Sequence, residues 1–207
     1  MRRLVIILDP AHGEDVKGKQ SPDGTHREYI WSRKVCKLLS EALQKNHFRV
    51  EFTNTTEKEI GLSKRKEIAN SINTNDCEKK FLISLHNNAA GDGKSWANAR
   101  GFEIYTSKGQ TISDKFADII MENLKKDFPT ECGYKVREDL SDSDMDKEAS
   151  FTVLLGSSYY AVLLEWLFQD NQEDLKLLNS SDINLALVNS LTKSLIYIDN
   201  NLDSLTT

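Results

Sequence analysis

The chain has 207 residues, of which 39% are hydrophobic and 29% are charged, and this composition excludes the fibrous and intrinsically disordered classes of protein. One core at this length buries roughly 70% of the surface of the unfolded chain, so residues 1–207 are predicted to form a single domain. The formal net charge of −5 lacks the basic excess that binding to phosphate backbones requires, so we expect no nucleic-acid partner.

The cysteines and the N-terminal apolar run bear on the compartment of the protein. Cys36, Cys77 and Cys132 are widely separated, so they predict neither a disulfide framework nor a thiolate metal site. The apolar run Leu4 to Leu8 is shorter than the core of a signal peptide and leads into an Asp-Pro dipeptide. We therefore expect synthesis in the cytoplasm without a signal peptide. No run is long enough to predict insertion into a membrane.

Strands and helices alternate along the first half of the chain. Leu4 to Leu8 is a continuous apolar run, which is typical of a strand buried on both faces. Apolar residues recur at helical spacing from Ile30 to Asn46, and Phe48 to Thr53 then alternates as a strand. Ser63 is predicted to cap a short helix, and Phe81 to Leu85 is the next compact strand.

The alternation continues through the second half. Asn87 to Arg100 is small and polar, which predicts a loop, and Gly101 to Thr106 resumes a strand pattern. Ser113 opens a helix that ends before Pro129, since proline cannot continue a helix. The acidic stretch Glu138 to Ser150 has no periodicity and is predicted to be a mobile surface loop. Order is expected to return at Phe151 to Leu155, at Tyr160 to Phe168 and in a last helix from Asp182 to Asp199.

This order of elements predicts the fold class. Strands that alternate with helices form βαβ units, in which neighbouring strands run parallel and helices cover the sheet. We therefore predict an α/β fold of three αβα layers, with a mostly parallel central sheet of about six strands and helices on both faces.

Reactive side chains follow the predicted strands. Ligands of open α/β sheets bind beyond the carboxyl ends of the strands. His12 follows the first strand, His86 follows the strand at Phe81, and Glu165 lies within the late apolar run. Glu28, at the start of the first helix, can fold back to the same edge. These four side chains are predicted to share one site.

Two histidines and one glutamate are a sufficient ligand set for catalytic zinc, which takes three protein ligands and leaves one position for water. His12, Glu28 and His86 are the candidate ligands, and Glu165 is the candidate proton shuttle beside them. Hydrolysis of an amide needs a nucleophilic water, a charge to balance the oxyanion and a proton for the leaving amine. The apolar neighbours of Glu165 are expected to raise its pKa toward neutrality.

Structural interpretations compete with each of these roles. A single histidine after a strand is more often a loop residue than a ligand. Glu28 alone could be a first-turn carboxylate that stabilises the first helix by interacting with its dipole. The neighbouring His26 is a rival ligand. Glu165 is the exception, because an isolated carboxylate in an apolar run costs free energy unless it is paired or functional.

Taken together, blocks of this sequence resemble the zinc-dependent N-acetylmuramoyl-L-alanine amidases of the Amidase_3 family. The blocks span nearly the whole chain in the order of the family. They are Leu-Asp-Pro-Ala-His-Gly at 8–13, Arg-Glu at 27–28, the helix at 62–70, Phe-Leu-Ile-Ser-Leu-His-Asn-Asn-Ala-Ala at 81–90, Ala-Arg-Gly-Phe-Glu at 99–103 and Val-Leu-Leu-Glu-Trp-Leu-Phe at 162–168.

The resemblance implies a substrate and a reaction. It implies zinc as the cofactor, peptidoglycan as the substrate, and cleavage of the amide between the lactyl group of N-acetylmuramic acid and L-alanine. It also supports His12, Glu28 and His86 as ligands and Glu165 as the catalytic residue, and we predict that Asn88 and Arg65 contact the substrate. A monomer that acts on the cell wall as a phage or prophage lysis enzyme is the expected setting.

Two other functions stay open at this point. A zinc carboxypeptidase acting on stem peptides would need a cation for the terminal carboxylate, and Arg27, Arg65 and Arg100 are candidates. A wall-binding module of the same fold would be expected to lack a ligand or the catalytic carboxylate. Serine hydrolases and nucleotide-binding proteins are disfavoured, because the sequence has no G-x-S-x-G, Walker or G-x-G-x-x-G motif.

Overall fold

The computed structural model describes residues 2–141 and 143–207. Within them one sheet of six strands forms the middle of the molecule. The strands are β1 (Leu4–Pro10), β2 (Arg49–Phe52), β3 (Lys79–Asn88), β4 (Glu103–Thr106), β5 (Lys147–Glu148) and β6 (Tyr160–Phe168). The helices are α1 (Glu28–Lys45), α2 (Leu62–Ser71), α3 (Ile112–Asp127), α4 (Gln172–Leu178), α5 (Ser181–Asn200) and α6 (Leu202–Thr206).

The sheet is mostly parallel, as predicted. Its strand order is β2-β1-β3-β6-β4-β5. β1 runs parallel to both β2 and β3, and β3 runs parallel to β6. β4 pairs antiparallel with β6, and β5 runs parallel to β4. The carboxyl ends of β1, β3 and β6 therefore meet at one edge of the sheet.

The central strands are apolar because both of their faces are covered. All seven residues of β1 are buried, including Asp9 at its carboxyl end. Strands buried on both faces read as continuous hydrophobic runs rather than alternating ones. The apolar pattern at Leu4 to Leu8 therefore predicted the strand and its central position correctly.

Two apolar clusters make the three layers. The larger cluster packs α1, α3 and α5 against one face of the sheet, through residues such as Leu39, Phe116 and Leu191. The smaller cluster packs Ala69 of α2 and a 3₁₀ turn at Thr152–Leu154 against the other face. This arrangement confirms the predicted α/β fold with helices on both faces. Among the described residues, no helix is both long and apolar enough to cross a bilayer.

Several local predictions were wrong. α2 begins at Leu62 after Gly61, which has a φ of 84°, and no side chain caps the helix, so Ser63 is not its N-cap. α3 begins at Ile112 with Thr111 as the N-cap. α4 was not predicted, because its seven residues are too few for a clear periodicity. At Phe151 to Leu155, where the sequence predicted order without an element type, the chain forms the 3₁₀ turn.

The acidic stretch 138–150 is only partly a surface loop. Lys147 and Glu148 form β5 at the end of the sheet, and Asp146 is 2% exposed. The hydroxyl of Thr106 in β4 donates to the carboxylate of Asp146 at 2.6 Å. Sequence composition could not show that this segment pairs with the edge of the sheet. Asp142 lies outside the described residues.

Candidate metal and catalytic site

Three side chains from distant parts of the sequence converge at the carboxyl edge of the sheet. Nδ1 of His86 lies 2.9 Å from Oε1 of Glu28, and Nε2 of His12 lies 3.3 Å from the same oxygen. One ligand atom from each residue lies within 4.8 Å of the others, and no second such group of histidine, cysteine or acidic residues occurs in ranges 2–141 and 143–207. The predicted ligand set is therefore brought together.

His12 lies two residues beyond β1 in an unusual backbone conformation. Its φ is 50°, in the left-handed region that side chains other than glycine rarely adopt. Ser32 of α1 helps to place this segment: its hydroxyl accepts from the amide of Ala11 at 2.8 Å and donates to the carbonyl of Leu85 at 2.6 Å. One buried hydroxyl thus joins the residues that precede His12 and His86.

Glu28 is the first residue of α1 and is 1% exposed. Oε1 accepts the backbone amide of Asn87 at 3.2 Å in addition to facing the histidines, and Oε2 accepts from Nε2 of Gln169 at 3.1 Å. Both carboxylate oxygens are therefore held by the protein. Such supporting hydrogen bonds orient the side chains that bind metals.

The charges of the three groups are coupled. Burial alone would raise the pKa of Glu28, but hydrogen bonds and the charges of His12 and His86 outweigh burial and hold that pKa below its ordinary value. Burial opposes protonation of His86, yet the adjacent Glu28 carboxylate raises the pKa of this imidazole. The site is thus an anionic carboxylate between two imidazoles, which is a suitable environment for a cation.

Glu165 enters the site from β6. In the sheet register Glu165 lies opposite His86 of the parallel strand β3 and opposite Glu103 of the antiparallel strand β4. Oε2 of Glu165 is buried and has no hydrogen-bond partner among the residues that the structure describes. Burial raises the pKa of Glu165 to about 7; His86 opposes this shift, whereas the charge of Glu28 adds to it. A buried carboxyl with this pKa can both accept and donate a proton near neutral pH.

A bulge interrupts the sheet beside the site. The register between β3 and β6 shifts between His86 and Asn88, and Leu167 has a φ of 60°. Bulges change the direction of side chains and are common next to active sites. Here Gln169, which supports Glu28, follows the irregular segment.

The cavity at this edge has a volume of about 500 Å³. All four predicted site residues, His12, Glu28, His86 and Glu165, line it. Other parts of its wall come from α2, from the segment around Lys19 and from the turn after β5. Its remaining lining includes Leu62, Asn88, Phe151, Val153 and Leu163.

His26, the rival ligand, is not among the converging residues. Its Nε2 lies 2.8 Å from the side-chain oxygen of Asn87, and Nδ1 lies 3.2 Å from that of Asn179. The side chain of Asn87 donates to the carbonyl of Trp166, so its oxygen is the atom that accepts from His26. His26 therefore supports the loop behind His86.

The two predicted substrate contacts are largely committed to the protein. Asn88 lines the cavity, and its amide donates to Glu103 at 2.7 Å. The side chain of Arg65 is 2% exposed, and its guanidinium donates to Asp9, to Glu59 and to the carbonyls of Pro10 and His12. All five N–H groups of Arg65 thus have protein acceptors, which leaves none for a ligand.

Sequence reasoning missed the residues that hold the candidate ligands in place. Ser32, Arg33 and Gln169 each contact a candidate ligand or the segment that carries it. They are separated from those partners by 21 to 141 residues, so no local pattern could connect them. A buried glutamine directly after an apolar strand was the one visible signal, since buried polar side chains need partners.

The sequence matches the family model of Amidase_3, the N-acetylmuramoyl-L-alanine amidases, over residues 6–197. No curated protein matches it. The matched range includes His12, the other two candidate ligands and Glu165. The match therefore includes the whole site as well as the sheet.

Solved structures share the fold. An N-acetylmuramoyl-L-alanine amidase from Clostridium difficile 630 is 22% identical, with a TM-score of 0.77 and 99% of each chain covered. The CwlD amidase from Clostridioides difficile, solved in complex with the GerS lipoprotein, is 20% identical, with a TM-score of 0.77 and coverage of 94% of this chain and 99% of that one. The catalytic domain of the CD27L endolysin that targets Clostridia difficile is 17% identical, with a TM-score of 0.65 and coverage of 94% and 97%.

The family model spans nearly all of the sheet and its helices, and the structure brings together the residues that the resemblance implied as a site. The chain therefore belongs to the Amidase_3 family of N-acetylmuramoyl-L-alanine amidases, hydrolases that act on an amide bond of peptidoglycan.

Proposed function

We propose that the chain is a zinc-dependent amidase in which His12, Glu28 and His86 hold the metal and Glu165 moves the proton. The convergence of the three ligand atoms carries this proposal. Tetrahedral zinc with bonds near 2.1 Å separates its ligands by roughly 3.4 Å, and the separations of 2.9 and 3.3 Å from Glu28 are close to that value. Two nitrogen donors and one carboxylate are a ligand set that catalytic zinc uses.

The residues of the chain divide the chemistry between them. Bound zinc supplies a water nucleophile at neutral pH and polarises the carbonyl that is attacked. Glu165 takes the proton from the attacking water and delivers it to the nitrogen of the leaving L-alanine. A pKa raised by burial to about 7 suits both transfers, because a carboxyl with a pKa near neutrality can both accept and donate a proton. The buried Glu28 stays ionised throughout.

The support around Glu165 fits this role. Glu103, its neighbour in β4, forms ion pairs with Arg137 at 2.7 Å and with Lys147 at 2.6 Å. Burial would raise the pKa of Glu103, but those hydrogen bonds and charges hold it below its ordinary value. Glu103 therefore remains ionised beside Glu165, and its negative charge contributes to keeping Glu165 protonatable.

A carboxypeptidase is less well supported. It requires a cation at the cavity for the terminal carboxylate of the stem peptide, and Arg65 is engaged at all five N–H groups. Arg100 donates to Asp174 and Gly133, and Arg27 stacks on Tyr29 while donating to a carbonyl. The three arginines predicted for that role are thus engaged by the protein, which weakens the case for a carboxypeptidase that uses them.

Digestion of purified sacculi tests the reaction and the metal together. Mass spectrometry should find free glycan strands and intact stem peptides, and metal analysis should find one zinc per chain. Shortened stems that remain attached to muramic acid would contradict the amidase and support the peptidase. Zinc binding without any turnover would support the wall-binding module instead.

We also propose that residues 1–207 act as one domain and as a monomer, since the candidate site residues converge at one edge of a single sheet. Light scattering after gel filtration should give the mass of one chain. A lytic role like that of a phage endolysin is proposed for the setting; the fold shared with an endolysin catalytic domain is compatible with it. Efficient export of the native gene product would argue against that setting.

A further inference from the structure

Two arginines from different helices hold the chain segment that carries His12. Arg33 of α1 donates from Nη1 to the carbonyl of Ala11 at 3.0 Å and from Nη2 to the carbonyl of His12 at 2.9 Å. Arg65 of α2 donates from Nη1 to the carbonyl of Pro10 and from Nη2 to that of His12 at 3.0 Å. Three consecutive carbonyls are thus bound by guanidinium groups, and the carbonyl of His12 is bound by both.

Each arginine is also anchored by hydrogen bonds to groups outside this segment. Arg65 is anchored by the buried Asp9 at 2.8 Å and by both oxygens of Glu59 at 3.0 Å. Arg33 also donates to the carbonyl of Thr56 from Nε at 3.0 Å and from Nη2 at 2.8 Å. A guanidinium keeps its donors in a fixed planar fork, so anchoring one side fixes the direction of the other.

The segment needs such restraint because His12 has a φ of 50°. Outside glycine, the left-handed region is disfavoured by contacts of the side chain with its own backbone. Residues in such conformations persist when surrounding contacts hold them there. Release of φ toward the ordinary negative range would turn the imidazole, because the direction of Cβ follows from the backbone angles. Nε2 of His12 would then leave Glu28.

We infer that Arg33 and Arg65 are positioning residues for the first metal ligand: they hold the backbone of His12 in its left-handed conformation, so that its imidazole meets Glu28 and His86. This inference rests on the proposed zinc site. It gives Arg65 a role through the backbone of His12 in place of the predicted contact with substrate. The two positively charged guanidiniums repel each other where they meet at the carbonyl of His12. The carboxylates of Asp9 and Glu59, which pair with Arg65, offset this repulsion.

Lysine substitutions test the inference. Lysine keeps the positive charge but is a single point of attachment, so it cannot bridge two carbonyls in fixed directions. Zinc affinity of Arg33→Lys and Arg65→Lys would be measured by competition with a chelating dye, and the unfolding temperature would be measured on the metal-free proteins. Loss of groups that orient a ligand typically weakens metal binding about 10- to 100-fold, and we expect at least about tenfold for each variant.

Two arginines at other places serve as matched controls. Arg49 is the control for Arg33: it donates to the carboxylate of Glu51 and, like Arg33, to a backbone carbonyl, that of Asn73. Arg2 donates to Asp199 and to the carbonyl of Asn46, as Arg65 does to a carboxylate and to carbonyls. Arg49→Lys and Arg2→Lys should lower the unfolding temperature of the metal-free protein without weakening zinc binding beyond about twofold.

The outcomes separate the inference from the proposed function. If the unaltered protein binds zinc and both site variants remain within about twofold of it while folded, the positioning role is overturned. If the unaltered protein binds no zinc, the metal site fails and the inference fails with it. Should Arg65→Lys not fold, Arg33→Lys decides alone. Arg33 is half-buried and donates twice to the exposed carbonyl of Thr56, so we expect its replacement by lysine to preserve the fold.

Discussion

Glu165 lies beside His86 in the parallel register between β3 and β6, so the candidate proton shuttle and a candidate metal ligand occupy neighbouring positions of adjacent strands. The bulge immediately after this pair ends the regular ladder and leads to Gln169, which holds Glu28. The sheet therefore sets the separation between the candidate catalytic carboxyl and the candidate metal ligands.

The carboxyl of Glu165 should be needed for turnover but not for folding. We expect Glu165→Gln to retain the fold and zinc but to lose about 10²- to 10⁴-fold in kcat, because an amide of the same size cannot transfer the proton. Release of stem peptide from sacculi measures kcat, and metal analysis measures zinc. Glu173→Gln, an exposed change on α4, should leave both unchanged. Retention of full turnover by the Glu165 variant would remove this residue from the mechanism.

Metal removal should act on stability as well as on turnover. A ligand that binds only the folded state stabilises it by about 2.7 kcal/mol at 100 times its Kd, and each kcal/mol raises Tm by about 2–4 °C at this length. Chelation should therefore lower Tm and abolish turnover, and added zinc should restore both. His12→Ala and His86→Ala should lose the response of Tm to zinc. His47→Asn, at the opposite end of α1 from Glu28, should keep it.

Ser32 should matter more than its size suggests. Ser32→Ala would leave the amide of Ala11 and the carbonyl of Leu85 without their shared partner. A buried polar group without a hydrogen bond costs about 1–3 kcal/mol, and we expect a loss of this size in chemical denaturation. Ser71→Ala, which removes an exposed hydroxyl at the end of α2, should change the free energy of unfolding by less than about 0.5 kcal/mol. If both substitutions changed the free energy of unfolding equally, the hydroxyl of Ser32 would not stabilise the protein by joining Ala11 to Leu85.

Asp146 should make stability depend on pH. Burial raises its pKa from 3.8 to about 7, the Thr106 hydroxyl opposes this, and the charge of Asp144 adds to it. Between pH 3.8 and about pH 7, Asp146 is protonated in the folded state but ionised in the unfolded chain. The contribution of Asp146 to the free energy of unfolding therefore falls as the pH rises through this range.

The neutral substitution Asp146→Asn removes this titration. Its Tm should exceed that of the unaltered protein at about pH 8, with the difference vanishing toward about pH 4. Asp139→Asn is the matched control in the same segment, since hydrogen bonds from Ser141 lower the pKa of Asp139. That variant should not gain Tm at high pH. A constant difference between Asp146→Asn and the unaltered protein across this range would contradict the assignment.

Local sequence determined most of the elements and the identity of the candidate reactive residues. The apolar runs at β1, β3 and β6 predicted buried strands, because both faces of a central strand are covered. Parallel strands present their carboxyl ends at one edge, so the order of elements was enough to assign His12, His86 and Glu165 to one site. The blocks around them identified the family.

Only the tertiary structure decided among the candidate residues. By sequence His26 was the rival of Glu28 as a ligand, but the ring of His26 contacts Asn87 and Asn179, whereas Glu28 lies beside both His12 and His86. Arg65 was predicted to contact substrate, yet its guanidinium is fully used by the protein. These outcomes depend on contacts between residues far apart in the chain and on a left-handed turn and a bulge. Local patterns specify periodicity and burial, whereas the direction of a side chain depends on packing between elements that are distant along the sequence.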